Sequence, residues 1–284
     1  MDNVLNLTPY LIRKSMSHTL FSILNFFPDS VLARNKKLKG KYKGQKCFIL
    51  GSGPSIKQEN LSLLYGQNIM TQNNFHMHDE IGELKPKFHV VVPKYQSAQF
   101  DQDWVEWIRD METRLPADCL LFFGKNTKYL IERETKMGER TFYHEQGLNP
   151  LFKTTTDCDI SKRIMNVPTV ITQCLMTAVY LGFSEIYILG MDLSQIVDFT
   201  SGKGRRDHVR WYGVSKITRN QAEKDLEDSM LRSGDIYFQH YKLWRQLNMI
   251  DNYAISQNIQ IANASEVGLL NVFPRVGLKE VIDT

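Results

Sequence analysis

Short apolar runs alternate with amphipathic helical patterns from about residue 46 to the end of the chain. The apolar runs predict strands at residues 47–50, 68–71, 88–92, 119–123, 186–189 and 259–261. Helical patterns cover residues 104–114, 172–181, 220–232 and 237–257. Strands separated by helices predict an α/β fold with a single, mostly parallel sheet that is flanked by helices.

The first 45 residues follow a different pattern. Thr8 and Pro9 are typical of a helix start, and an apolar helical pattern runs from there to Phe27. Seven basic residues follow between Arg34 and Lys46, without an acidic residue among them. An apolar helix followed by cations is typical of a peripheral membrane anchor. Equally, the helix can pack on the core or on a second copy of the chain, with the basic stretch as a solvated linker.

This contrast divides the chain into an N-terminal unit, residues 1–45, and an α/β unit, residues 46–284. Of the 284 residues, 42% are hydrophobic and 23% charged, which supports a large packed core. The net charge of +4 is mild, and few aromatic residues interleave with the basic run, so a nucleic-acid partner is disfavoured. No signal peptide and no apolar run long enough to span a membrane are predicted.

Four cysteines, Cys47, Cys119, Cys158 and Cys174, are far apart and form no metal-ligand spacing. They predict reduced, buried thiols of a cytoplasmic protein. His76, His78 and Asp79 lie close in sequence, but a solvated helix start explains them better than a metal site does. Asp157 and Asp159 precede a helical stretch rather than follow a strand. We therefore expect no metal and no cofactor.

The most informative segment is Gly51-Ser52-Gly53-Pro54-Ser55, directly after the first apolar run. Glycines let a backbone approach a ligand closely, and Ser55 can cap a following helix. A strand, a glycine turn and a helix start together favour a nucleotide phosphate or ribose at Gly51, Ser52 and Gly53. An ordinary tight turn between a strand and a helix is the alternative. The pattern is not a Walker loop and not a complete dinucleotide fingerprint.

Ligands of open α/β sheets bind beyond the carboxyl ends of the strands. Small or polar residues follow the carboxyl ends of several predicted strands: Asn73, Gly190, Asp192 and Asn263. A long polar stretch, residues 195–216, then carries cations and a tyrosine suited to a leaving phosphate: Arg205, Arg206, Arg210 and Tyr212. Within it, His208 is a candidate general base, with Asp192 as the second candidate catalytic group. A solvated loop with a chance histidine remains the alternative.

Three segments together resemble a known family: residues 48–57, Gln72-Asn73-Asn74-Phe75, and residues 172–194 with Gly190-Met191-Asp192. They are similar to the DUF115, or MAF_flag10-like, superfamily of motility-associated factors and MptE-like proteins. More distantly they resemble the bacterial CMP-sialic acid transferases. The resemblance runs from about residue 46 to 276. It implies a Rossmann-type, GT-A-like glycosyltransferase that moves an acidic sugar from a CMP-activated donor to a bacterial surface or lipid-linked glycan.

Carried over by position, the resemblance implies nucleotide contacts at the Gly51–Gly53 loop and Asn73, with Thr169 or Thr172 near the donor. It also implies a bacterial cytoplasmic protein at the inner membrane. The sialyltransferases carry asparagine where this chain has Ser52, and a Gly-His-Ser triplet where it has Gly213-Val214-Ser215. ATP-dependent pterin diphosphokinase activity and a non-catalytic membrane-associated binding protein are the alternatives.

Overall fold

A computed structural model describes residues 29–147, 156–166, 169–193 and 233–282. Seven strands form one sheet in these residues: β1 Lys46–Leu50, β2 Ile69–Gln72, β3 Phe88–Val90, β4 Leu120–Gly124, β5 Thr141–His144, β6 Glu185–Leu189 and β7 Gln260–Asn263. The strand order is β5-β4-β3-β2-β1-β6-β7, and each neighbouring pair is parallel. The predicted fold class, a parallel sheet flanked by helices, is confirmed.

Helices lie between the strands. Within the described ranges the α-helices are α1 Ser30–Ala33, α2 Ile81–Leu84, α3 Asp101–Arg114, α4 Lys128–Glu134, α5 Val170–Leu181, α6 Ser233–Ser256 and α7 Leu278–Ile282. Short 3-10 helices occupy Arg34–Leu38, Pro54–Gln58, Leu61–Leu64, Asn73–Met77, Ala98–Phe100, Lys125–Thr127 and Gly138–Arg140. The predicted helices at residues 104–114, 172–181 and 237–257 are thus present, each starting a few residues earlier than expected.

Two hydrophobic layers cover the two faces of the sheet. Alternate residues of β1 point to opposite faces: Cys47 and Ile49 meet the α5 and α6 side, whereas Phe48 and Leu50 meet the α3 and α4 side. Helix α5 is buried along its whole length. All four cysteines are free and buried, in agreement with the sequence, and burial raises the pKa of the Cys119 thiol to about 12.

The sequence pattern missed β5, a four-residue strand with polar ends. It lies at the edge of the sheet and pairs with β4 alone. Residues 29–38 cover its open side, where the buried Asn35 amide donates to the carbonyl oxygens of Tyr143, at 2.9 Å, and Ile160, at 2.6 Å. Such cover removes an unpaired edge that would otherwise invite association.

Residues 29–45 therefore pack on the α/β body rather than forming a solvated linker. Leu32 and Leu38 are buried in its two layers. The backbone N–H groups of Gly40 and Tyr42 donate to the carbonyls of Tyr180 and Leu181, at the end of α5. The predicted division of the chain at residue 45 stays a prediction.

Several predicted features lie outside the described residues: the helix at 9–27, the helix at 220–232, and the polar stretch from Gln195 to Lys216. Among the described helices, none is both long and apolar enough to cross a bilayer.

Candidate functional site

The sheet reverses its strand order between β1 and β6. From β1 the chain adds β2, β3, β4 and β5 on one side, and then returns to place β6 and β7 on the other side. The loops after β1 and β6 lie at this reversal, and open parallel sheets hold their ligands at such a position. Gly51–Ser55 and Gly190–Leu193 are these two loops.

The two loops lie directly against each other. The N–H of Gly51 donates to the Leu189 carbonyl, and the N–H of Gly53 donates to the Gly190 carbonyl, both at 2.7 Å. A Cβ on Gly51 would lie 2.3 Å from the Gly190 oxygen. The glycines of this motif are thus required for the approach of one loop to the other.

Asp192 occupies the position where an anion was expected. Its carboxylate accepts from the Ser55 N–H at 2.9 Å and from the Ser55 hydroxyl. The helix that follows, Pro54–Gln58, is a short 3-10 helix whose N-cap is Gly53 rather than Ser55. The N–H groups of Gly51, Gly53 and Ser55 are thus bound to protein acceptors, and a nucleotide at Gly51–Gly53 stays a prediction.

The predicted binding residues Gly190 and Asn263 also make hydrogen bonds that hold neighbouring loops together. Gly190 is buried with φ +70°, and its N–H donates to the Ser265 hydroxyl at 2.9 Å. Asn263 is fully buried; its amide nitrogen donates to the Leu270 carbonyl, and its amide oxygen accepts from the Ser265 N–H, each at 3.0 Å. Both ends of the Asn263 amide are thus engaged within its own loop, and a nucleotide contact at Asn263 stays a prediction.

Asn73 differs from these residues because it is only half-buried. It follows β2 with φ +46°, a left-handed conformation that asparagine tolerates. Its amide oxygen accepts from the Val92 N–H at 3.0 Å, beyond the end of β3. The Asn73 side chain thus joins two strand ends and has an NH₂ group left to donate.

The start of α5 lies at the same edge of the sheet. Helix α5 leads through Gly182 into the first residue of β6, so its other end is at the carboxyl edge. Thr169 is its N-cap and is half-buried, and no acidic residue lies in the first turn. Thr172 is fully buried and its hydroxyl donates to the Thr169 carbonyl, so only Thr169 of the two predicted threonines is accessible.

Three cations of the described residues near this edge are bound to other groups. The buried Lys94 ammonium lies 2.9 Å from Asp101, Lys125 pairs with Asp29 and Glu145, and Arg275 donates to loop carbonyls. Near the β1 loop, burial raises the pKa of Glu59, and the Glu266 and Asp192 carboxylates raise it further. A ligand phosphate would need cations from elsewhere, and the predicted ones, Arg205, Arg206 and Arg210, lie outside the described residues.

The described histidines do not form a metal site. His76 bonds Asp110 and Asn73, whereas His78 stacks on Phe75. Within the described ranges, no group of three or more His, Cys, Asp or Glu side chains is placed to hold a metal ion. Asp101 and Asp103 form a second Asp-x-Asp pattern, besides Asp157 and Asp159; Asp101 accepts from Tyr129 at 2.7 Å besides its contact with Lys94.

The structure therefore brings Ser52, Gly53, Asn73 and Thr169 to one edge as half-buried polar positions; together they are called the carboxyl-edge surface below. Asp192 lies directly beneath this surface as the partner of Ser55. His208 and Tyr212 lie outside the described residues. The hydrogen bond from the Val92 N–H to the Asn73 side chain could not be predicted from the sequence, because it depends on which strands are neighbours in the sheet.

No protein-family model matches the chain. No curated protein sequence matches it either. Among solved structures, it is similar to the sialyltransferase CST-II in complex with a trisaccharide acceptor and CMP, with 14% identity, a TM-score of 0.45, and coverage of 82% of this chain and 86% of that one. A structure of CstII from Campylobacter jejuni with CMP gives 18% identity, a TM-score of 0.41, and coverage of 82% and 87%.

The third structure is the MAf glycosyltransferase of Magnetospirillum magneticum AMB-1. It is 15% identical with a TM-score of 0.46, and the alignment covers 89% of this chain but only 39% of the longer protein. At these identities and TM-scores, the three similarities do not decide the chemistry of this chain.

Proposed function

We propose that this protein is a glycosyltransferase that takes an acidic sugar from a CMP-activated donor. The observation that carries the proposal is the carboxyl-edge surface beside the strand-order reversal. It combines a free amide donor on Asn73, a hydroxyl on Ser52 and an open helix start at Thr169. Uncharged hydrogen-bonding groups suit a base and a ribose, and a helix start free of acidic residues suits a phosphate or a sugar carboxylate.

The leaving phosphate would be neutralised by Arg205, Arg206, Arg210 and Tyr212. His208 would take the proton of the acceptor hydroxyl as the bond to the sugar forms and the bond to CMP breaks. These roles come from the sequence, and they complement a surface whose nearby cations are bound to other groups. His144 is less suited to act as a base than His208, because it is fully buried; burial lowers its pKa to about 4, and its Nε2 lies 3.0 Å from the Thr177 hydroxyl.

A thermal-shift comparison of CMP with ATP plus Mg²⁺ tests the donor class. We expect CMP to raise the melting temperature, since a ligand at a hundred times its Kd stabilises the folded state by about 2.7 kcal/mol. ATP with Mg²⁺ should have little effect. The reverse preference would contradict the proposal and favour the pterin diphosphokinase alternative. If CMP binds but no CMP-sugar is consumed with any glycan acceptor, the chain is a binding protein.

The acceptor is proposed to be a lipid-linked or surface glycan, with the protein held at the inner membrane of a bacterium. Five exposed lysines support an anionic partner surface: Lys36, Lys37, Lys39, Lys41 and Lys43. Residues 39–45 lead directly into the start of β1, so much of this basic patch lies at the amino edge of the sheet. The carboxyl-edge surface is at the opposite edge.

Vesicle sedimentation tests this membrane contact. The full chain should sediment with phosphatidylserine vesicles and be partly released by salt, because each lysine near such a surface contributes about 1 kcal/mol that salt screens. Replacing Lys36, Lys39 and Lys43 by glutamine should weaken binding severalfold, whereas Lys57, Lys85 and Lys136 changed in the same way serve as the control. If the full chain and both variants stay in solution, the membrane proposal is wrong and residues 1–28 have another role.

A further inference from the structure

Asn73 is held by a second set of contacts behind the carboxyl-edge surface. Its carbonyl oxygen lies 2.8 Å from Nδ1 of His76, one turn along the 3-10 helix Asn73–Met77. A residue other than glycine keeps a left-handed backbone conformation only where several contacts hold it there. Two contacts do so here: Val92 on the Asn73 side chain and His76 on its carbonyl.

His76 is in turn held from the other side. Its ring is fully buried, and Nε2 lies 3.0 Å from Oδ2 of Asp110 on α3. The second oxygen of Asp110 accepts from Arg114 Nε at 2.9 Å. Both neighbours of the ring, a carbonyl and a carboxylate, are acceptors, so only the doubly protonated ring donates to both.

The groups around His76 have opposing effects on its pKa. The edges of the His89 and Trp107 rings face it at centroid distances of 6.0 and 6.4 Å. Burial lowers the pKa of His76, while the Asn73 carbonyl and Asp110 raise it again and Arg114 lowers it. His89, whose Nδ1 lies 2.8 Å from the Thr71 hydroxyl, is fully buried, and burial lowers its pKa well below the usual value.

We propose that His76 and Asp110 are positioning residues for nucleotide binding, with Asp110 orienting the His76 ring and the ring fixing Asn73. This inference rests on the proposed function, since Asn73 is the residue assigned to the nucleotide. The pair touches no ligand. The pair keeps the backbone of Asn73 in its left-handed conformation. The Asn73 amide oxygen therefore keeps accepting the hydrogen bond from the Val92 N–H, and the NH₂ group stays directed at the ligand. Without the pair, the ligand would have to order Asn73 itself.

Asp110→Asn is the direct test, because it removes the carboxylate charge and keeps the shape of the side chain. Its matched control is Arg114→Gln, which breaks the other, exposed ion pair of Asp110. We expect roughly tenfold weaker CMP binding for Asp110→Asn, a size typical of lost supporting contacts, and no loss of CMP affinity for the control. In wild type, CMP affinity should fall as pH rises through the His76 pKa, which burial lowers from its usual value, and Asp110→Asn should flatten this dependence.

Amide hydrogen exchange measures the effect of Asp110 and His76 on Asn73 without any ligand. The Val92 N–H donates to the Asn73 side chain, whereas the adjacent Val91 N–H donates to the Phe122 carbonyl of β4. Asp110→Asn should speed exchange at Val92 and leave Val91 unchanged. A general loss of stability would move both amides, so the difference between them reports on Asn73 alone.

A double-mutant cycle completes the experiment. If Asp110 acts through Asn73, then Asp110→Asn should cost no further CMP affinity once Asn73→Ala is present. Additive losses, or unchanged Val92 exchange in Asp110→Asn, would overturn the positioning role. If wild type binds no CMP but Val92 exchange responds as expected, the proposed function is wrong while the coupling of Asp110 to Asn73 stands.

Discussion

Gly51→Ala should destabilise the protein by about 1–3 kcal/mol, the usual range for inserting a methyl group into a packed region. The new Cβ would lie 2.3 Å from the Gly190 oxygen, 2.7 Å from the Gly190 carbonyl carbon and 3.1 Å from the Leu189 oxygen. All three are backbone atoms at the end of β6, so no side chain can turn aside. The loops after β1 and β6 would have to separate. Chemical unfolding, followed by circular dichroism, measures the change.

Gly82→Ala is the matched control. Gly82 lies in α2, its φ is not in the left-handed range, and a Cβ there meets nothing within 4 Å. That change should be neutral or stabilising by a few tenths to about 1 kcal/mol, because alanine has fewer unfolded conformations to lose. If Gly51→Ala is as stable as wild type, the two loops do not approach each other as closely as in the structure. If it is destabilised and also loses CMP binding, the same contact shapes the carboxyl-edge surface.

His208→Ala should lower the rate of sugar transfer by about 10²–10⁴-fold, the usual contribution of a positioned general base. CMP affinity should be almost unchanged, because the base acts on the acceptor hydroxyl and not on the nucleotide. Initial rates with a CMP-sugar, together with calorimetric titration of CMP, separate the two effects.

His240→Ala is the control for this change, since His240 lies on α6 against Trp244 and has no assigned role in transfer. Activity of His208→Ala within a few-fold of wild type would exclude His208 as the base. Asp192 would then be the next group to test, although its carboxylate is bound to Ser55. His144 is the poorer choice because it is fully buried and burial lowers its pKa to about 4.

The sequence predicts where the residues of the candidate site stand along the chain but not which groups they contact. The sequence places Gly51, Asn73 and Asp192 correctly after strands, because a strand followed by a small or polar residue is a local pattern, whereas Asn263 is the last residue of β7 itself. The sequence does not reveal what each group bonds. Asn263 uses both ends of its amide on its own loop, and Asp192 is bound to Ser55, 137 residues away.

Residues 29–45 show the same limit. Their lysines are visible in the sequence, and they predicted a separate basic linker. Asn35 bonds carbonyls of Tyr143 and Ile160, and Arg34 bonds that of Gly138. These partners lie more than 100 positions further along the chain, so periodicity within a window could not reveal that this segment covers the edge of β5.

By itself, the sequence determined the α/β class, the parallel sheet and six of its seven strands, because period and apolar content within a few residues decide whether a strand or a helix forms. The tertiary structure decided the order β5-β4-β3-β2-β1-β6-β7 and the reversal between β1 and β6. It also decided that Gly51 and Gly53 face a neighbouring loop and that His76 supports Asn73. Such contacts arise only when distant segments pack together, and local propensity does not encode their partners.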